Sequence, residues 1–232
     1  MKINIIYRDV ANCCVSFLLF PHFIFLFSPM SSFLNLDNIH RSNSIEYHPL
    51  LPFLPENTKI LFLGSFPPQR KRWCMDFFYP NFINDHWRIM GLIFFGNKNH
   101  FVDVKEKSFN LDLIVEFLQE KGIGYYDTAE AVKRLKDNAS DKFLEIVEYT
   151  DINALLDNIP DCRVVVTTGE KATENIVKQL SLSEIPTVGN YITLRDDILL
   201  YRLPSSSRAY PLSLDKKADA YRKMFEMAGI NF

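Results

Sequence analysis

From residue 59 onward the chain alternates two patterns. Short apolar runs of strand length stop at glycine, proline or a polar residue, and between them lie segments with apolar residues three and four apart. The run at 59–64 is apolar after its first residue and is stopped by Gly64, Pro67 and Pro68, which predicts a buried parallel strand ending in a rigid loop. Residues 123–127 and 163–168 predict two more strands, and 191–194 with 198–203 a hairpin-like pair around Asp196 and Asp197. Helices are predicted over 85–95, closed by Gly96 and Asn97, and over 109–121, with Leu113, Phe117 and Leu118 on one face and Gly122 as cap. Further helices are predicted over 128–135, 151–159, 169–180 and 214–227. Strand and helix alternate, so the expected fold is α/β: three layers, α/β/α, around a mostly parallel central sheet.

The start of the chain does not fit this pattern. Residues 11–29 are almost all apolar and follow Lys2 and Arg8. Three readings stay open: a secretory signal, a short membrane anchor, or an upstream artefact with translation starting at Met30. Pro21 and His22 interrupt the run, no small-x-small cleavage site follows, and its length is at the lower limit for crossing ~30 Å of hydrocarbon. The start at Met30 is favoured, and with it no stable membrane association and a cytoplasmic location. The expected organisation is an extension at 1–29, a polar lead-in at 30–45 and one domain at 46–232.

Composition narrows the chemistry. A length of 232 residues suits one domain plus an extension, and 20 Phe with 10 Tyr can fill its core. A net charge of −2 gives no global field for a polyanion, so any nucleic-acid contact needs a local basic patch. Cys13, Cys14, Cys74 and Cys162 show neither metal-ligand spacing nor a disulfide framework, so no metal is expected.

In an open α/β sheet, ligands bind beyond the carboxyl ends of the strands. Three segments at such ends stand out. Gly64-Ser65-Phe66-Pro67-Pro68 has a backbone fixed by two prolines. Tyr125-Tyr126-Asp127-Thr128 ends the second strand. The third is Leu203-Pro204-Ser205-Ser206-Ser207-Arg208, whose hydroxyls, amides and guanidinium suit a phosphodiester. Arg70, Lys71 and Arg72 add charge after the first loop. Each has a plainer use: a turn, a solvated basic loop, or, for Asp127, the cap of a helix starting at Thr128. Lys216, Lys217, Arg222 and Lys223 read as the wet face of the last helix.

The set of motifs resembles the uracil-DNA glycosylase superfamily, most closely its mismatch-specific and hypoxanthine-type branches. It comprises Gly64 to Pro68, Phe77-Phe78-Tyr79-Pro80, Asn84-Asp85-His86-Trp87, Gly122 to Asp127 and Leu203 to Ser207, in that order. The resemblance implies a monomeric, cofactor-free enzyme of base-excision repair. Such an enzyme binds DNA, flips out a deaminated or damaged base of uracil or hypoxanthine type, and hydrolyses its N-glycosidic bond. It assigns the Gly64-to-Pro68 loop, with Ser65, to water activation, places Gly64, Phe66 and Pro67 of that loop in the base pocket, and gives Phe77 or Phe78 to stacking on the base there. Asn84 and Asp127 go to the base pocket, and Ser205, Ser206, Ser207 and Arg208, with Arg70, Lys71 and Arg72, to the phosphates. Two departures stand out: Phe66 occupies a position that usually holds Asp or Asn, and Leu203 one that often holds His or Asn. The hypoxanthine-type branch draws a water-orienting amide from a later segment, where this chain offers Asp151, also a fitting helix cap. The catalytic candidates are therefore Asp127, Asp151 and Ser65, and the alternative is a DNA-binding module of the same fold without turnover.

Overall fold

Four of the apolar runs lie side by side in the computed structural model, which describes residues 44–135 and 143–232. The apolar extension and the lead-in up to residue 43 lie outside the described residues. Strands β2 (Ile60–Gly64), β5 (Ile123–Asp127), β8 (Val164–Thr168) and β10 (Ile198–Leu203) are mutually parallel where they pair, and β9 (Tyr191–Arg195) closes one edge antiparallel to β10. The order is β5-β2-β8-β10-β9. In β2, Ile60, Leu61, Phe62 and Leu63 are all fully buried, as expected of a strand covered on both faces.

Alternate side chains show what covers each face. Phe62 stacks on Tyr125 and points to His86 of α1 (His86–Phe95) and to Tyr221 and Phe225 of α5 (Leu214–Met227). On the opposite face, Thr167 Oγ1 lies 2.8 Å from Thr173 Oγ1 of α4 (Glu170–Gln179). The expected three-layer α/β/α architecture is therefore present. In α2 (Leu111–Lys121) the buried stripe is Ile114, Phe117 and Leu118; Leu113, expected to face inward, is exposed. The helix α3 (Ile152–Asp157) is shorter than its predicted span.

The largest departure follows β5. Residues 128–135, expected as a helix, form strand β6 (Ala129–Arg134). It pairs antiparallel with β1 (Ile45–Tyr47) and β7 (Leu144–Tyr149) in a separate sheet of order β1-β6-β7. Ala129, Glu130 and Ala131 favour helix locally, but two flanking strands satisfy the backbone and decide the outcome. Irregular register around Ala131 lets adjacent Ala131 and Val132 both be buried, which hides the strand's alternation. A small two-stranded ribbon, β3 (Val102–Asp103) with β4 (Ser108–Phe109), completes the strands among the described residues.

Candidate active site

The carboxyl ends of the parallel strands surround a cavity of about 180 Å³. Gly64, Ser65, Phe66, Pro67 and Pro68 line it after β2, Asp127 at the end of β5, Thr168 at the end of β8, and Ser205, Ser206 and Ser207 after β10. Phe78, Tyr79, Asn81 and Asn84 close one side, and Leu50 and Arg134 another. For scale, a cavity of about 150 Å³ takes one benzene ring. The segments around residues 66, 127 and 206 thus meet at one concavity.

The first loop is held rigidly. Gly64 O accepts the Thr128 amide at 2.9 Å, Pro68 O accepts Trp73 Nε1–H at 2.6 Å, and Pro67 O accepts Arg134 Nη2–H at 3.1 Å. At Gly64 a side chain is excluded, because a Cβ would fall on Asp127 Oδ1. Glycine is therefore what brings the Asp127 carboxylate against the loop. No helix starts at Thr128, so Asp127 caps nothing; its carboxylate instead meets His48, whose Nε2 lies 2.9 Å from Oδ2.

His48 is a component that sequence reasoning missed. Its side chain is 1% exposed and packs among Phe66, Phe78 and Tyr126, with ring-centroid distances of 5.4, 6.3 and 4.6 Å. Nδ1 lies 2.8 Å from Leu50 O and 3.2 Å from Leu50 N. Opposite an ionised carboxylate, Nε2 must carry a proton. Nδ1 then either accepts the Leu50 amide in the neutral ring or donates to the Leu50 carbonyl in the imidazolium. In both states Nε2–H holds Oδ2 and leaves Oδ1 as the free acceptor face. Phe66 lies beneath this pair in a small cluster with Ala129, Val132 and Leu144, which gives it a packing use as well as a place in the lining.

The opposite wall is built from Tyr79 and the serine loop. Tyr79, another residue missed from sequence, sits at φ +51°, a strained conformation for a non-glycine residue. Its ring lies flat on His86 at 3.8 Å, and its hydroxyl is 2.6 Å from Thr168 Oγ1. Full burial pushes the His86 pKa down to about 3, so the ring that Tyr79 rests on is neutral, with Nε2 2.7 Å from Tyr125 Oη. Asn84 uses Oδ1 to accept the His86 amide at 2.9 Å, which fixes its position at the start of α1.

Beneath the serines, Asp85 takes Arg208 Nε–H at 2.8 Å and Lys217 Nζ at 3.2 Å, and Lys217 also donates to Ser207 O at 2.8 Å. The Asp85 amide donates to Ser206 O at 3.0 Å. Lys217, expected on the wet face of α5, is thus buried beneath the serine loop. Its position in the stripe Lys217, Ala218, Tyr221, Met224 and Phe225 is the signal that would have revealed it.

Two other expectations fall away from the cavity, and the cations expected at the phosphates lie outside its lining. Phe77 packs in the core against Phe53 and Trp87 and does not line it, whereas Phe78 does. Asp151 is the N-cap of α3, its side chain accepting the Ala154 amide at 3.0 Å. Arg70, Lys71 and Arg72 form a 3-10 turn outside the lining, with Arg70 paired to Asp76 and lying over Trp73. Arg208 stands behind the serines, paired to Asp85 and half exposed. Among the described residues no three His, Cys, Asp or Glu side chains gather as metal ligands, and no helix is long and apolar enough to cross a membrane.

No family model matches the chain. A hypoxanthine DNA glycosylase from Methanosarcina barkeri (strain Fusaro / DSM 804) is 30% identical over 126 residues, which span 53% of this chain and 71% of that protein. The chain belongs to the uracil-DNA glycosylase superfamily. A solution NMR structure from Methanosarcina acetivorans, of a candidate uracil DNA glycosylase, shares the superfamily fold with a TM-score of 0.52 at 24% identity, covering 79% of this chain and 99% of that one. The Gly64-to-Pro68 loop, Asp127 and the serine loop all line this one cavity.

Proposed function

We propose that this chain is a monofunctional DNA N-glycosylase that removes a deaminated base of hypoxanthine or uracil type. One observation carries the reading: a cavity of about 180 Å³ at the strand ends, holding an aspartate whose orientation is set by a buried histidine, beside a pinned serine loop. The reaction adds water across the glycosidic bond. The C1′–N bond breaks with its electron pair going to the base, the oxygen of water bonds C1′, and the base ends with the proton. The products are a free base and an abasic sugar.

The residues divide this work. Asp127 Oδ1 accepts a ring N–H from the base, and its negative charge favours the oxocarbenium character of the sugar. Tyr79 and Phe78 provide aromatic surface for the extruded base. Ser65 offers a hydroxyl for the attacking water, and Ser205 and Ser207 with Arg208 receive the flanking phosphates. DNA is the partner, and no cofactor enters the reaction.

Oligonucleotides carrying hypoxanthine, xanthine or uracil, incubated with the protein and treated with alkali, test this directly. Strand scission at one or more of the three bases is expected. No scission at any, with protein in excess over DNA, overturns the reading. Phe66 and Leu203 at motif positions that usually hold polar groups favour a second reading, a DNA-binding module without turnover. That reading predicts salt-sensitive binding with no base release in the same experiment.

A further inference from the structure

The cavity contains one charged group that neither the resemblance nor the proposed division of labour uses. Among the described residues lining it, Arg134 is the sole cation and Asp127 the sole anion. We infer that Arg134 is a catalytic residue that stabilises the negative charge developing on the departing base, and that Glu46 is its positioning partner. The inference rests on the glycosylase reading.

The geometry is that of an arginine clamped from behind. Its side chain is 6% exposed. Nε donates to Glu46 Oε1 at 3.1 Å, Nη2 to Glu46 Oε2 at 3.0 Å, and Nη2 also to the carbonyl of Pro67 in the first-motif loop. All of these bonds use the Nε and Nη2 edge of the planar guanidinium. Nη1 has no partner among the described hydrogen bonds, so its N–H groups remain for whatever fills the cavity. Burying an arginine is costly unless it is paired and hydrogen-bonded. Here two strands of the flanking sheet, β1 and β6, meet that cost by placing Glu46 and Arg134 together.

The chemistry calls for such a group. When the C1′–N bond breaks, the electron pair passes to the base, and fixed donors aimed at that charge lower the barrier more than they stabilise the neutral base. Leu203 stands where the superfamily often offers His or Asn for this task, and leucine has no donor. The Glu46–Arg134 pair is neutral overall. It therefore tolerates a neutral base in the ground state while presenting oriented N–H groups to an anion. Asp127 at the same cavity accepts, and Arg134 donates. Together they match a base edge that carries an N–H beside a carbonyl whose oxygen becomes negative as the base leaves.

Single-turnover rates of Arg134→Gln against the parent protein, with DNA affinity measured in parallel, test the assignment. The expected result is a rate lower by about 100-fold with a DNA Kd within threefold of the parent. The deficit should shrink when the excised base is replaced by its more acidic ring-fluorinated analogue, uracil by 5-fluorouracil or hypoxanthine by 2-fluorohypoxanthine, because the better leaving group needs less help. A purely structural role would not produce that dependence. The double variant Glu46→Gln/Arg134→Met leaves no unpaired ion. It should melt close to the parent and show the same rate loss, which separates chemistry from folding.

A rate within threefold of the parent overturns the inference while the glycosylase reading stands. So does lost DNA affinity with a shallower salt dependence and an unchanged rate at saturation, which would mark Arg134 as a phosphate anchor. If the parent excises no base, the glycosylase reading fails, and free-base binding decides the rest. At one neutral pH, the parent should bind the ionised 5-nitrouracil more tightly than neutral uracil, and Arg134→Gln should lose that preference. A parent that does not discriminate between them overturns the inference.

Discussion

The cavity has two unlike walls. The central parallel sheet contributes backbone, hydroxyls and rings: the Gly64-to-Pro68 loop, Thr168, the serine loop, and Tyr79 resting on neutral His86. The flanking antiparallel sheet contributes the Glu46–Arg134 pair, and the turn after β1 contributes His48, which holds Asp127 at the end of β5. Shape comes from the first wall, and the second supplies Arg134 and the partners that hold both charges. Strand ends in a parallel sheet are rigid and similarly oriented, so they make a good cradle, but they carry few buried charges of their own. A buried charge needs a partner, and here the partners come from a different layer of the chain.

That contrast is open to experiment. The largest effect is expected from removing the charge itself. Asp127→Ala should lower the single-turnover excision rate by about 1,000-fold while the protein still binds DNA in a gel-shift assay. Retention of most of the activity would mean that the carboxylate held by His48 is not essential.

Next comes the pin beneath the cradle. Lys217→Met leaves the buried Asp85 carboxylate with Arg208 alone and Ser207 O without its donor. Urea unfolding should show a loss of about 3 kcal/mol, the low end for breaking a buried pair. An unchanged midpoint would show that Arg208 alone neutralises Asp85.

A smaller loss is expected from the positioning histidine. His48→Ala frees the Asp127 carboxylate to turn, and displacement of a reacting group by about 1 Å costs up to about 100-fold, mainly in kcat. His48→Gln, whose amide can donate in the place of Nε2–H, should restore much of the rate. Equal loss in both variants would reduce His48 to a packing residue.

The smallest effect belongs to the cradle wall and is read as pH dependence. His86 binds its proton only near pH 3 when folded, against 6.5 for an ordinary histidine. Between these values unfolding takes up a proton, so stability is complete above 6.5 and falls as pH falls, by at most ~1.4 kcal/mol per pH unit. Urea midpoints measured from pH 6.5 down to about 5, above most of the carboxylate range, should decline in the parent and flatten in His86→Gln. Parallel curves for the two proteins would assign the decline elsewhere.

The two walls also differ in how far they could be read in advance. The cradle was legible because its signals are local. An apolar run followed by Gly64, Pro67 and Pro68 marks a strand end, and an ordered set of such ends resembled a known superfamily. Phe77 and Phe78 could not be told apart, because only packing decides which of two adjacent rings faces the cavity. Of the charged groups only Asp127 was legible, and none of the pairings was. His48 meets Asp127 across 79 positions, and Glu46 meets Arg134 across 88. A contact between distant residues leaves no mark on the spacing around either one.

What the sequence by itself determined was therefore the parallel sheet, its covering helices, the order of its loops and the superfamily. The first three follow from local periodicity, chain-breaking residues and the limited ways such elements pack, and the superfamily from the resemblance of an ordered set of motifs. Tertiary structure alone decided that residues 129–134 become a strand, that Lys217 turns inward, and which partners hold Asp127 and Arg134. Those outcomes depend on the free energy of pairing with segments remote in the chain, which outweighs local preference once the backbone and charges must be satisfied away from water.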